Sequence, residues 1–219
     1  MQTDDIGTNE QVDFLQETPW PPAGCPPLAW PALDDAAERL AWYEAVIGAY
    51  AALWGDHATA PRLAPMPVVT LDALEQALGH ALPPALRAYH AQLGALSLGE
   101  TLRRADPTHD APIQPLASAW PSLEDIGLTP DDLALASHLV AFGDYLGNGN
   151  HFCYDTRDGA VWYFDHDGPR FLTRFFDGVV EYLDALMLLT LAEVHEDDAA
   201  GEALLRQRHG DACIRTWRY

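Results

Sequence analysis

Three short runs of β-branched and aromatic residues follow one another in the second half of the chain, and they constrain the fold more than any other feature. The runs are Leu139–Asp144, His151–Asp155 and 160–165, and turn residues separate them. Asp158-Gly159, between the last two runs, is a strong hairpin signal because both residues tolerate the positive φ of a tight turn. We therefore expect these runs to form an antiparallel meander.

Alternation within the runs predicts which side chains share a face of the sheet. Trp162 and Phe164 should lie on one face and Tyr163 on the other, and Cys153 should point away from both of its neighbours. Aromatic side chains contribute much of the binding energy of protein interfaces. One of these two faces is therefore a candidate contact surface, although most of the aromatic residues should belong to the core.

Apolar residues at three- and four-residue spacing predict helices on both sides of the strands. Thr129-Pro130 and Ser122 each open a short helical turn. Helices that pack on an antiparallel sheet make an α+β fold, here a central meander with an N-terminal helical extension. The longer predicted helices run from Asp34 or Asp35 to Gly55, from a capping Thr70 to Gly79, from Pro83-Pro84 to Gly94, over 173–191, and through Leu204 to Gly210.

The first 31 residues differ in composition from the rest of the chain. Six prolines lie between positions 19 and 31, and proline neither donates to a strand ladder nor fits the interior of a helix. We expect an extended lead-in. The chain then divides into residues 1–68, a proline-rich lead-in with one helix, and residues 69–219, an α+β domain with C-terminal helices.

The chain is strongly acidic, with 33 Asp and Glu residues against 12 Arg and no Lys, for a formal charge of −21. Binding to nucleic acid requires basic groups that displace counterions from phosphates, so direct nucleic-acid binding is disfavoured. A negative surface speeds encounter with a basic protein. The simpler alternative is that the charge only keeps the protein in solution.

The cysteines and the N-terminal sequence indicate a cytoplasmic protein. Cys25, Cys153 and Cys213 are too few and too scattered for a disulfide framework or a paired zinc site. The N-terminus lacks the basic start and apolar stretch of a secretory signal. The longest apolar run, at 186–191, is too short to cross a membrane.

Asp165-His166-Asp167 could offer metal ligands, together with His151 and Asp144 across the meander. Their spacing matches neither a zinc helix nor a calcium loop, and polar turn residues usually bond to local backbone groups. We predict no metal and no cofactor.

Catalytic chemistry has little support in the sequence. Cys153 lies inside a predicted strand and should be a buried structural thiol, and no serine occupies a nucleophile elbow. The glycines at 147 and 149 favour a tight turn, since no basic residue accompanies them to bind phosphate. We predict no catalytic residue. A hydrolase that uses His151 and Asp165 is the enzymatic alternative.

The order of several short motifs resembles the SUKH superfamily, which includes fungal cell-wall assembly regulators and many bacterial immunity proteins. The resemblance covers about residues 69–190. The motifs are Thr70, Leu74 and Glu75 in a short helix, the turn Leu82-Pro83-Pro84 with its Tyr89 helix, the strand Leu139–Asp144, Gly-Asn-Gly-Asn-His at 147–151, Val161-Trp162-Tyr163 with Asp165-His166-Asp167, and the closing Phe175-Phe176.

This resemblance implies an α+β fold with a central antiparallel sheet, no chemistry and a protein-binding role. Bacterial members of this kind neutralise a cognate polymorphic toxin, often a nuclease or a deaminase. We therefore hypothesise that acidic and polar residues around the meander meet a basic toxin domain, whereas a general regulatory or scaffold role is the alternative. The candidate partner-binding residues are Asp144, Asn148, Asn150, His151, Asp155, Asp165, His166 and Asp167.

Overall fold

The computed structural model describes residues 20–33, 35–55, 57, 60–99, 101–144 and 147–218. The sequence predictions for residues 1–19 lie outside these described residues. The helices are α1 (Ala36–Trp54), α2 (Val68–Leu78), α3 (Pro84–Gln92), α4 (Leu116–Ala119), α5 (Pro130–Ala136), α6 (Val179–Val194), α7 (Asp198–His209) and α8 (Asp211–Arg218), with a 3-10 helix at Leu123–Asp125, and the strands are β1 (Thr101–Leu102), β2 (Gln114–Pro115), β3 (Leu139–Asp144), β4 (His151–Asp155), β5 (Val161–Phe164) and β6 (Leu172–Phe176).

The strands form one antiparallel sheet around the predicted meander. Its order is β1-β3-β4-β5-β6, and β2 pairs with a separate part of β3. The tight connection between β4 and β5 is built as the sequence predicts, because Gly159 has a φ of +76° and its N–H donates to the Asp155 carbonyl at 2.8 Å. The α+β fold is confirmed.

Both faces of the meander are buried, each against a different layer. Phe152 and Tyr163 belong to the large hydrophobic cluster that contains α1, α3 and α6. Cys153 and Phe164 belong to a smaller cluster formed with α4, the 3-10 helix and α5, and Trp162 packs against it. The predicted alternation is confirmed. Since both faces are covered, Tyr163 and Phe164 lie in the core and not on an exposed contact surface.

A buried charged group fastens the N-terminal helix to the domain. Asp184 on α6 is buried, and its Oδ1 accepts hydrogen bonds from Tyr43 Oη at 2.6 Å and from Arg39 Nε at 3.0 Å, both on α1. Burial, and then the charge of Asp184, raise the pKa of Tyr43, so its hydroxyl stays a donor. The division of the chain at residue 68 stays a prediction, and α1, which precedes it, packs along α6.

The last part of the sheet corrects the sequence prediction. The helix predicted from Thr173 begins later, at Val179, because Leu172–Phe176 forms β6 and pairs with β5. The aromatic run fits either period, and pairing with the edge of β5 satisfies backbone groups that an early helical turn would leave without partners. Gly178, in extended conformation, separates β6 from α6.

Helix boundaries were predicted unevenly. Asp35 caps α1, and Thr129 forms a capping box with Asp132 at the start of α5. The capping role of Thr70 was wrong, since α2 begins at Val68. The prolines within 95–121 favour a loop, but the structure has the short elements β1, β2 and α4 there, and the helix α8 was not predicted. None of the helices in the described ranges has the length and hydropathy needed to cross a bilayer.

The Asp184 cluster makes a stability prediction. Asp184→Ala should lower the free energy of unfolding by about 3 kcal/mol, because Arg39 and the buried Tyr43 hydroxyl lose their acceptor. Tyr43→Phe should cost about 1 kcal/mol, since it removes one hydrogen bond. Urea denaturation followed by tryptophan fluorescence measures both. Glu44→Gln on the exposed side of α1 is the control, and equal values for Asp184→Ala and Glu44→Gln would contradict the role of the cluster.

Candidate partner-binding site at one end of the sheet

Strand pairing brings most of the predicted partner-binding residues to one end of the sheet. Asp144 at the end of β3 pairs with His151 at the start of β4, and His151 pairs with Phe164 at the end of β5. The turns 147–150 and 165–168, next to these strand ends, therefore lie side by side.

Asn150 ties the two turns together. Its Oδ1 accepts the backbone N–H of His166 at 3.1 Å and lies 2.7 Å from Nδ1 of the same ring, while its Nδ2 donates to Tyr163 Oη at 2.9 Å. Because a backbone N–H can only donate, the amide atom of Asn150 that faces His166 is the oxygen, and its Nδ2 is left for Tyr163. The backbone N–H of Asn150 donates to Asn148 Oδ1 at 2.9 Å, which fixes the first turn.

Trp120, at the end of α4, covers this junction. Its ring centroid lies 4.5 Å from that of His166, with 32° between the ring planes, and 5.8 Å from that of Phe164. Gly149 has a φ of +91°, and a Cβ there would lie 3.1 Å from Trp120 Cζ3. Sequence reasoning missed Trp120, because the proline-rich segment that carries it reads as loop and only the fold shows what the ring covers.

Three carboxylates surround the junction, and we call Asp144, Asp165 and Asp167 the acidic rim. Asp144 Oδ1 accepts the N–H of Gly147 at 3.2 Å, and Asp165 Oδ1 accepts the N–H of Asp167 at 3.1 Å. The Asp167 side chain is 85% exposed, and its Oδ2 lies 3.0 Å from His166 Nε2. The rim therefore presents negative charge to solvent next to a half-buried aromatic pair.

His151 lies beneath the rim and not on the surface. The side chain is buried, stacks on Phe164, and its Nδ1 has no hydrogen-bond partner among the described residues. Burial and then the charge of Arg103 lower the pKa of His151 to about 4, so the ring is neutral near pH 7. Burial likewise lowers the pKa of Arg103, whose Nε donates to the Pro112 carbonyl at 2.8 Å.

Asp155 stands apart from the other predicted partner-binding residues. It lies at the opposite end of β4, and its side chain is 1% exposed. Arg157 donates to it from Nε at 2.9 Å and from Nη2 at 2.6 Å. Burial alone would raise the pKa of Asp155, but the hydrogen bonds from Arg157 outweigh burial and lower it. This carboxylate holds the β4–β5 hairpin.

The Cys153 thiol and the possible metal ligands were the other groups with reactive potential in the sequence. Cys153 is fully buried in the sheet, and burial raises the pKa of its thiol, which keeps it a poor nucleophile. Within the described ranges, no three His, Cys, Asp or Glu side chains are positioned to hold a metal ion together.

Comparison with known proteins identifies the family. The family model of the SMI1 / KNR4 family (SUKH-1) matches residues 67–185, just over half of the chain. The chain belongs to the SUKH-1 family. No curated protein and no solved structure gives a significant match. The SUKH-1 match begins at α2 and ends within α6, so it contains Trp120, Asn150, His166 and the acidic rim, while α1, α7 and α8 lie outside it.

A substitution at Gly149 tests whether Trp120 packs against this turn of the SUKH-1 domain. Gly149→Ala should lower the free energy of unfolding by about 2 kcal/mol and shift tryptophan emission, because it adds both a positive-φ penalty and a crowded Cβ. Gly147→Ala is the matched control. Its φ is +73° but no atom lies within 4 Å of the added Cβ, so only the penalty of about 1 kcal/mol should appear in urea denaturation. Identical stabilities and emission spectra of the two variants would show that Trp120 does not pack on Gly149.

His151 makes a pH prediction. Between its ordinary pKa of 6.5 and about 4, the unfolded chain binds a proton that the folded chain does not, so stability falls as pH drops through this window. The contribution lost at pH 5 is about 2 kcal/mol relative to pH 7.5. In urea denaturation, His151→Phe should flatten the pH profile by this amount, whereas the exposed His109→Gln should not. A His151→Phe profile parallel to that of the unchanged chain would argue against a neutral buried ring.

Proposed function

We propose that this chain is a non-catalytic protein-binding module, an immunity protein that neutralises a cognate bacterial polymorphic toxin by covering its substrate-binding face. The observation that carries the proposal is the acidic rim around the Trp120–His166 pair, within the SUKH-1 domain. A toxin that acts on nucleic acid, a nuclease or a deaminase, binds phosphates through basic side chains. Such a surface complements the rim.

The distribution of arginine supports a basic partner. Arg39, Arg87, Arg157, Arg174 and Arg206, five of the 12 arginines, form ion pairs with acidic residues of the same chain. These pairs leave the net charge of −21 unchanged, so the chain has a large excess of acidic groups. A negative charge of this size raises the rate of association with an oppositely charged protein. Added salt screens the attraction and reduces this rate enhancement.

The aromatic pair supports a defined contact and not only diffuse attraction. Binding energy at interfaces concentrates in a few aromatic and arginine anchors, surrounded by residues that exclude water. Trp120 is half-buried and packs on His166 and Phe164, so it loses little conformational freedom when a partner covers it. A cationic side chain can also lie over its ring.

The state of the reactive groups supports a role without chemistry. A catalytic base must reach the proton that it removes, and His151 is buried behind the rim. The Cys153 thiol is buried on the covered face of the sheet. Occlusion of the partner needs neither group.

Charge reversal at the rim tests the proposal on a toxin domain encoded beside this chain. The Asp165→Lys and Asp167→Lys double variant should associate about ten-fold more slowly at low salt and show a flatter salt dependence, as measured by surface plasmon resonance. Glu44→Lys with Asp110→Lys makes the same change in net charge at other exposed positions, and its association rate should fall much less.

The outcomes separate the possible roles. Stoichiometric loss of the toxin's activity, relieved in the rim variant, supports immunity. Binding without loss of activity would instead assign the chain a regulatory or scaffold role. Equal rates for the rim variant and its control would remove the rim from the interface.

A further inference from the structure

A groove with a volume of about 360 Å³ runs across the layer that covers the Cys153 face of the sheet. Its size lies at the lower end of the range for ligand sites, about 300–1,000 Å³, and suits one long side chain. The apolar lining comes from α4, the 3-10 helix, α5 and the link after α4, through Ala117, Leu123, Leu133, Ala136 and Pro121.

Two carboxylates line the same groove. Glu124 and Asp125 are exposed, and neither side chain has an ion pair or a hydrogen bond with any residue of the described ranges. The surrounding sequence offers no neutralising group, because residues 105–156 contain no arginine or lysine and eight acidic residues. The groove thus joins an apolar surface to uncompensated negative charge.

We propose that this groove binds a basic side chain, arginine or lysine, of the partner protein. The aliphatic stem of that side chain lies against Leu123 and Leu133, and its cationic head reaches Glu124 and Asp125. Long basic side chains bury their stems on apolar surfaces and keep the charged head near water or an anion. This inference rests on the proposed function, a basic protein partner, and adds a second contact to the rim.

The groove and the rim are connected through two consecutive residues. Pro121 lines the groove, and Trp120, the preceding residue, covers His166. In this proposal the partner contacts the groove in addition to the aromatic pair and the rim.

A second groove on the other layer shows what distinguishes the first. It has a similar volume, about 370 Å³, and is lined by His80, Pro83 and Tyr154 among others. Its carboxylate, Asp155, is already paired with Arg157. A cationic side chain would find no unpaired carboxylate in this second groove. The second groove therefore serves as a control for binding to an apolar groove without available negative charge.

Nuclear magnetic resonance titration of the full chain tests the inference without a partner. The probes are N-acetyl-arginine-N-methylamide and its uncharged counterpart N-acetyl-norleucine-N-methylamide, at constant ionic strength. We expect the arginine probe to shift the methyl signals of Leu123 and Leu133 in a saturable way, and the norleucine probe to bind more weakly. Glu124→Gln with Asp125→Asn should weaken arginine binding about five-fold, whereas the exposed Asp110→Asn should leave it unchanged.

The result separates this inference from the proposed function. Shifts confined to the rim and Trp120, equal binding of the two probes, or equal shifts around Pro83 would each overturn the groove as a basic-side-chain site. Toxin neutralisation by the unchanged chain, together with any of these results, would leave the proposed function intact. Arginine binding at the groove in a chain that neutralises no neighbouring toxin would support the site and count against the immunity role.

Discussion

The central strands bury side chains on both faces, and this constraint decides where the rest of the molecule can lie. A sheet covered on one face needs a single partner layer, but Cys153 and Phe164 require a second one. Short helices supply that layer and carry exposed acids on their outer side. Polar side chains excluded from both faces collect at the strand ends, where the turns 147–150 and 165–168 meet.

The meander and its side-chain alternation were predictable because strand pairing of close sequence neighbours depends on local signals, here a period of two and Asp158-Gly159. The capping box at Thr129 is equally local. The strand β6 was not predictable, because its choice between helix and strand depends on the free edge of β5, which exists only after folding. Gly210 was correctly predicted to end α7. The helix α8, which begins directly after it, was missed because a glycine that ends one helix does not indicate whether another follows.

The sequence predicted which turns form the candidate site, but it did not predict which of their side chains are buried. The sequence predicted that His151 and Asp144 lie near 165–167 across the meander, and the structure joins this turn to Asn150, the residue before His151, by hydrogen bonds. It gave no way to tell the exposed Asp167 from the paired and buried Asp155, since burial depends on the covering layers. Trp120 comes from a segment with no periodicity, so its position against His166 required the tertiary fold.

The hydrogen bonds between Asn150 and His166 hold the 165–168 turn without using the side chain of Asp167, which is left to contact a partner. The turn is fastened through the backbone and ring of His166, while the Asp167 side chain extends into water. Replacing an outward side chain on a turn anchored by other atoms changes the surface with little effect on the framework beneath it. Descendants of this chain can thus acquire new recognition preferences through single exchanges at position 167 while keeping the same architecture.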